Sequence, residues 1–202
     1  MRFLYSFTLF FALSVLVRAQ TVSSVVQNPQ TLSCGLTRSA IDARLVAKIC
    51  NSGNTTCFYT GYQQVSSVNQ DPILIRFDGS TQTFCQTQIE TTGDDGSGIG
   101  LLWDSANKLY GCFTSKGTQP GIRYQNWTGG GWIPNFYGTI AQSNDVKVSV
   151  ILELNVNTGV PVSGTFVGAR LSSGSANTCL ARSMTFDTSG NPVIFFDSYY
   201  QV

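Results

Sequence analysis

The sequence predicts an all-β single domain held by disulfides, with one short helix near its N-terminus. Three observations predict this class. Apolar and polar residues alternate with a period of two over most of the chain after Cys50. Charged residues make up only 11% of the chain and aromatic residues 12%, a balance typical of β-rich extracellular domains. Finally, the cysteines number six, an even count, and all lie beyond the N-terminal segment.

The first nineteen residues predict a secretory signal peptide. Arg2 precedes an apolar run over 3–17, and the small residues Val17 and Ala19 suit cleavage after Ala19. The run is shorter than the ~20 residues that a membrane-spanning helix requires. We therefore expect a secreted, extracellular protein whose mature chain has no membrane span.

Charge argues against one class of partner. The sequence contains 12 basic and 11 acidic residues, and two of the basic ones, Arg2 and Arg18, belong to the predicted signal peptide. A nearly neutral mature chain has no electrostatic attraction to nucleic acid, so we expect no nucleic-acid partner.

The start of the mature chain predicts an extended segment and then a helix. Residues 20–36 are polar and β-prone, and Pro29 is unsuited to a central strand, so we expect an extended lead-in. Over 37–49 apolar residues recur at helical spacing, and Ser39 followed by Asp42 matches a capping box. The last residues of that stretch also fit a strand.

The rest of the region 37–202 predicts one β-rich domain built from short strands separated by turns that contain Gly, Asn and Asp. The predicted strands cover 56–62, 72–77, 82–89, 98–103, 109–114, 146–154, 160–171, 181–186 and 193–197.

An oxidising compartment favours three disulfides among the six cysteines. Spacing singles out only Cys50 with Cys57, because residues 51–54 can turn the chain and bring the flanking strands together. A metal site is disfavoured, because the spacings are irregular and the chain contains no histidine. The cysteines assigned to disulfides are Cys34, Cys50, Cys57, Cys85, Cys112 and Cys179.

A hairpin pattern recurs along the chain. An Asp is followed within four residues by Ala-Asn at 104–107 and by Gly-Asn at 187–191, and each turn lies between apolar strands; 50–61 is a weaker copy. The pattern resembles the inner hairpin of secreted β-propeller-type repeats. That resemblance implies a propeller-like arrangement serving as a binding or structural scaffold, and a sandwich-like arrangement of the same hairpins is the alternative.

The absence of histidine excludes Ser-His-Asp and Cys-His catalysis. A carboxylate pair would still allow glycoside hydrolysis, with Glu90 or Glu153 as the acid, but no pattern selects two carboxylates and we assign no catalytic residue. Asp94 and Asp95 lie among glycines and could provide oxygen ligands to calcium. A plain solvated turn is the favoured interpretation of that loop, and no other cofactor is expected.

An aromatic segment at 124–138 is the candidate binding surface, because exposed rings stack on sugars and side-chain amides bind hydroxyl groups. The alternative is that these rings fill one end of the core. Trp132 is favoured over Trp127, because a glycan on the sequon residue Asn126 would crowd Trp127. The candidate ligand-binding residues are Trp127, Trp132, Asn135, Phe136 and Tyr137.

Sequons at Asn54 and Asn126 predict glycosylated surface positions. Together these patterns predict a noncatalytic extracellular protein of a matrix, wall or cell surface that contacts glycans or matrix components. The alternatives are a secreted carbohydrate-active hydrolase with a carboxylate pair and a secreted effector or toxin.

Overall fold

The computed structural model describes residues 23–116, 124, 147–173 and 176–198, and it is mostly β-strand. One helix, α1, spans Arg38–Asp42. The strands in chain order are β1 Ser23–Ser24, β2 Ala47–Cys50, β3 Thr56–Ser66, β4 Asn69–Asp78, β5 Thr81–Gln86, β6 Gly96–Trp103, β7 Leu109–Ser115, β8 Val148–Leu154, β9 Pro161–Val167, β10 Ala169–Arg170, β11 Ala176–Asn177, β12 Cys179–Phe186 and β13 Pro192–Ser198.

The strands form a smaller and a larger sheet. The smaller sheet is antiparallel with the order β2-β3-β4-β5. The larger sheet has the order β1-β12-β8-β7-β6, with β9 beside β8 and β13 beside β12. Its strands are antiparallel except where β12 meets β8 in parallel, at Cys179 and Val148. Strands β10 and β11 form a separate hairpin.

Alternation along β7 and β8 sends apolar side chains to both faces of the larger sheet, and both faces are buried. One face packs on the smaller sheet through residues such as Phe58, Leu101 and Val150. On the opposite face, Val25, which follows β1, and Met184 on β12 of the same sheet pack in one cluster with residues of β6 to β8 such as Leu102. A third cluster, on the outer face of the smaller sheet, is covered by α1. Burial of one large apolar side chain contributes about 2 to 3 kcal/mol, so these clusters hold the layers together.

The all-β prediction with one short helix is confirmed. Each predicted strand has its counterpart among β3 to β9, β12 and β13, although the part of 146–154 before residue 147 lies outside the described residues. The predicted strand 160–171 is divided into β9 and β10. The alternation did not predict β1 and β11, because strands of two residues are too short to show a period. The described strands form no closed ring, and closure is what an ordinary propeller would require.

Helix α1 is shorter than predicted. It ends at Asp42, and the chain then forms β2, which pairs along β3. Pairing with β3 satisfies the backbone groups of β2, so tertiary contacts override the helical spacing of its apolar residues. The predicted capping box of Ser39 and Asp42 is also wrong. The N-cap is Thr37, whose Oγ1 accepts a hydrogen bond from the Ala40 N–H at 3.3 Å.

The recurring turns share one hydrogen-bonding arrangement. The Oδ1 of Asp104 accepts from the N–H groups two and four residues later, and the Oδ1 of Asp187 does the same. Asn51 and Asn155 likewise accept from main-chain N–H groups of their own turns. A side chain that accepts from its own turn fixes the turn locally, which accounts for the recurrence in sequence. Repetition of a larger unit stays a prediction.

The structure contains two disulfides in the described part of the chain. Cys50 is bonded to Cys57, as predicted from the turn between them. The second bond joins Cys34 to Cys85 on β5, a pairing that the sequence left open. Both bonds lie at the smaller sheet.

The prediction of three disulfides is wrong for this structure, because Cys112 and Cys179 are buried free thiols. Cys112 pairs with Ile151 on one side of β8, and Cys179 pairs with Val148 on the other side. The strand β8 therefore lies between the two cysteines. No helix in the described part of the chain has the length and apolar character that crossing a membrane requires.

Candidate functional site

The starts of three strands and the end of a fourth lie together at one end of the domain. Gly96, the first residue of β6, pairs with Ser115 at the end of β7, and Ser115 also pairs with Val148 at the start of β8. Asn69, the first residue of β4, donates from Nδ2 to the Thr92 carbonyl at 3.1 Å. We name this region the acidic end, after Asp71, Glu90, Asp94 and Asp95.

Glu90 is deeply enclosed in the acidic end, with 3% of its surface exposed. Its Oε1 accepts a hydrogen bond from the Thr92 N–H at 2.7 Å. Its Oε2 is buried and has no hydrogen-bond partner within the described residues. That oxygen lies 2.7 Å from the position that a Cβ on residue 96 would occupy, so a glycine at 96 leaves room for it.

Asp71 on β4 is a second buried acid, 4% exposed. Its Oδ1 accepts from the Asn69 Nδ2 at 3.1 Å, and the same amide donates to Thr92. Asn69 thus links Asp71 to the residue whose N–H holds Glu90. The Oδ1 of Asn69 is another buried acceptor that has no partner in the described ranges.

The electrostatics of the two buried acids follow mainly from burial. Burial raises the pKa of Glu90 to about 7 from an ordinary value of 4.5. The hydrogen bonds from Thr92 oppose this rise in pKa, and the nearby charges of Asp71 and Asp94 add to it. Burial also raises the pKa of Asp71, while the hydrogen bond from Asn69 lowers it. Glu90 therefore keeps its proton to a higher pH than an ordinary glutamate does.

Tyr124 encloses the acidic end from the core. It is 1% exposed, and its ring lies against Phe113 and Phe166, with centroid separations of 5.9 and 6.5 Å. Its hydroxyl donates to the Thr114 carbonyl at 3.1 Å. Its side chain is therefore held by packing on two aromatic rings and by one hydrogen bond to β7.

The hydroxyl of Tyr124 and the free oxygen of Glu90 adjoin the same space. Tyr124 Oη lies 2.9 Å from the position of a Cβ on Gly96, and Glu90 Oε2 lies 2.7 Å from it. Burial raises the pKa of Tyr124 well above 10, and the charges of Glu90 and Asp71 raise it further, so the tyrosine is neutral. Chemically, the site is a carboxyl that holds its proton near neutral pH beside a second acid and a phenol, the kind of group that serves as a general acid.

The two glutamates named as candidate acids lie apart. Glu153 is on β8 opposite Tyr110, near the start of β7, and its Oε2 accepts from the Ser163 Oγ at 3.2 Å. Glu90 lies toward the other end of β7, where Tyr124 meets Thr114. The partner acid nearest to Glu90 in the network is therefore Asp71 rather than Glu153.

The loop with Asp94 and Asp95 makes other contacts. Asp95 lies 3.6 Å from the Lys116 Nζ, and the Asp94 N–H donates to the Thr92 Oγ1 at 3.2 Å. The described residues contain no group of three or more acids or cysteines arranged to hold a metal ion. Calcium binding at Asp94 and Asp95 stays a prediction.

Most of the predicted binding surface falls outside the described residues. Asn54 is the described member of the two predicted glycosylation positions, and it is exposed in the turn before β3, with φ at 53°. The remaining predicted residues, with the signal peptide 1–19, lie outside the described ranges; they are Asn126, Trp127, Trp132, Asn135, Phe136 and Tyr137.

Asp71 was not predicted as a site residue, and Tyr124 was named only as the first residue of the aromatic segment 124–138. The sequence did contain a signal that Asp71 is buried. Asp71 alternates in phase with Ile73 and Ile75, so it occupies an inward position of β4. The sequence signal for Tyr124 was weaker, because this residue was grouped with the aromatic segment rather than with the core. The convergence of both with Glu90 depends on strand pairing that the sequence does not reveal.

The fold and site define a class only coarsely: a β-rich, disulfide-bonded domain with a buried acidic cluster. Comparison of the chain with protein-family models, with curated proteins and with solved structures found no match.

Proposed function

We propose that this chain is a secreted, noncatalytic binding or structural protein of the extracellular space, which contacts glycans through its aromatic segment 124–138. The observation that supports this most is the packing of Tyr124, the first residue of that segment, into the core. Binding residues are typically found on loops that a rigid scaffold positions. Here the scaffold is a set of packed β layers, and the segment lies in sequence between β7 and β8.

The chemistry of the segment fits a sugar ligand. Trp132, Phe136 and Tyr137 offer ring faces for stacking, and Asn135 offers an amide for hydroxyl groups. Trp127 takes a lesser role, because a glycan on Asn126 would crowd it. Free glycans and glycan-bearing matrix components are the proposed partners.

Secretion is part of the proposal. The signal peptide 1–19 and the sequon at exposed Asn54 support it, and disulfides of the kind seen here are usual in extracellular domains. Expression through a secretory pathway should yield a chain that begins at Gln20. N-terminal sequencing tests the cleavage, and a mass loss on treatment with an N-glycosidase tests the glycosylation.

A glycan array with the secreted protein tests the binding function. Trp132→Ala should lower the signal at least tenfold, because the stacking ring is lost. Phe195→Ala is the matched control, since Phe195 is an aromatic residue on β13 that is 59% exposed. Its removal should leave binding unchanged. An equal loss in both variants would contradict a role for the segment, and no binding to any glycan would leave only a structural function.

A second candidate is a carbohydrate-active hydrolase, favoured by the pairing of Glu90 with Asp71. A glycosidase needs one protonated carboxyl as its acid and a second carboxylate. Glu90, with its raised pKa, fits the acid. Release of reducing sugar from common polysaccharides tests this candidate. The activity should be lost in Glu90→Gln and kept in Glu153→Gln, and its absence with every polysaccharide would reject the hydrolase.

A further inference from the structure

We propose that the packing of Tyr124 depends on the protonation of Glu90: Tyr124 stays packed in the core beside protonated Glu90, and ionised Glu90 weakens that packing. This inference goes beyond the proposed function and does not depend on glycan binding. It concerns described residues only.

The geometry provides the first step. The Tyr124 hydroxyl donates to the Thr114 carbonyl at 3.1 Å. Glu90 Oε2 shares with that hydroxyl the space beside Gly96. Because Oε2 is buried and has no hydrogen-bond partner within the described residues, an ionised Glu90 would place an unpaired charge in that space. A proton on the carboxyl removes this charge.

The surroundings provide the second step. The titratable groups that face Glu90 are Asp71 from β4, Asp94 from the connection before β6, and Tyr124 itself. All are acids, and among the described residues that influence the Glu90 pKa there is no cation. Lys116 pairs with Asp95 instead. Removing the proton from Glu90 therefore adds negative charge to a buried acidic cluster, which is unfavourable.

The direction of the pH effect follows by linkage. The folded pKa of Glu90, about 7, lies above its ordinary value of 4.5. The stabilisation is therefore complete below about pH 4.5 and is lost as the pH rises through about 7. A difference of this size corresponds to a loss of roughly 300-fold in the folding equilibrium constant over that window.

Urea unfolding of the full secreted chain, measured in chelator from about pH 4.5 to about pH 8, tests the first half of the proposal. The wild type should lose stability across this window, and Glu90→Gln should lose far less, because its side chain cannot ionise. The matched control is Glu153→Gln, which should follow the wild type. Equal pH dependence in the wild type and in Glu90→Gln would overturn the proposal.

A second measurement reads Tyr124 in the wild type, so the test does not depend on a variant that folds well. In protein labelled with ¹³C at the tyrosine ring carbon bearing the hydroxyl, Tyr124→Phe assigns the Tyr124 resonance. That resonance should shift with a midpoint near pH 7 in the wild type and stay constant in Glu90→Gln. A resonance that does not move, or that moves equally in both proteins, would contradict the proposal.

The addition of calcium distinguishes whether Glu90 binds a proton or a metal cation. Adding calcium without chelator at about pH 8 should leave the wild-type urea midpoint unchanged if a proton is what Glu90 binds. Stabilisation by calcium in the wild type that disappears in Glu90→Gln would overturn the proposal in favour of a cation site.

Discussion

Two regions of this domain bury charged side chains partly or fully, and the charges differ in their partners. Arg38, on α1, is surrounded by acceptors: its guanidinium donates to the carbonyls of Gly79 and Asn54 at 2.9 Å each, and it lies 3.5 Å from the Asp42 carboxylate. Glu90, at the acidic end, has one oxygen without a partner in the described part of the chain and has acids as neighbours.

The difference shows when a buried charge stabilises a fold. A charged group with several hydrogen-bonding or ionic partners contributes to stability over the whole range of pH in which it stays ionised. A buried acid with few partners escapes its desolvation penalty by taking up a proton, so its contribution changes with pH. The Arg38 region should therefore make a contribution to stability that does not depend on pH, whereas the contribution of the Glu90 region should change with pH.

The largest expected effect comes from the disulfides beside the Arg38 region. Replacing Cys34 and Cys85 together by Ala should lower the free energy of unfolding by about 4 kcal/mol, because their bond closes a loop with a sequence separation of 51. Replacing Cys50 and Cys57, separated by 7, should remove only about 2.5 kcal/mol. Urea unfolding under non-reducing conditions measures both, and a larger loss for the shorter loop would contradict this ranking.

Arg38→Met should destabilise the domain by about 2 kcal/mol, since it keeps the apolar stem but removes the hydrogen bonds that the guanidinium donates to Tyr59, Gly79 and Asn54. Lys48→Met is the control, because Lys48 is exposed and reaches Asp42 at 2.6 Å from the surface. It should cost under about 0.5 kcal/mol. The loss in Arg38→Met should be the same at about pH 5.5 and about pH 8, in contrast to the effect of Glu90. A pH-dependent loss would remove the distinction between the two regions.

At the acidic end, Gly96→Ala should cost about 2 kcal/mol. Its Cβ would lie 2.7 Å from Glu90 Oε2, 2.9 Å from Tyr124 Oη and 3.1 Å from Pro72 Cδ, all too close. Gly53→Ala is a matched control, because the nearest atom to its Cβ would be 3.8 Å away. Thermal unfolding of the two variants compares them, and equal midpoints would show that the acidic end is loosely packed.

The smallest effect concerns the helix that carries Arg38. Thr37→Ala removes the N-cap hydrogen bond to the Ala40 N–H and should cost about 1 kcal/mol. Ser39→Ala, at the residue of the wrongly predicted capping box, should cost clearly less. Urea unfolding distinguishes the two, and a greater loss from Ser39→Ala would reinstate the capping box.

Much of the fold was predictable because it depends on local pattern. Alternation located the longer strands, and turn residues such as Asp104 and Asp187 bind their own turns, so their signal is local in sequence. The bond between Cys50 and Cys57 was predictable for the same reason. The end of α1 was not, because pairing of β2 with β3 decides it.

The candidate site was only partly predictable. Glu90 was named as one of two candidate acids, but its partners come from elements distant in sequence. Asp71 and Tyr124 reach it only through the pairing of strands from both sheets. The cysteine count likewise implied a third bond, whereas the position of β8 separates Cys112 from Cys179.

The most direct test of this account is an NMR titration of the glutamate carboxyl carbons. The chain contains glutamate only at Glu90 and Glu153, so ¹³C labelling of glutamate gives two resonances, which Glu153→Gln assigns. The account predicts that the Glu90 carboxyl titrates with a midpoint of about 7 in the folded domain. A midpoint near its ordinary value of 4.5 would contradict it.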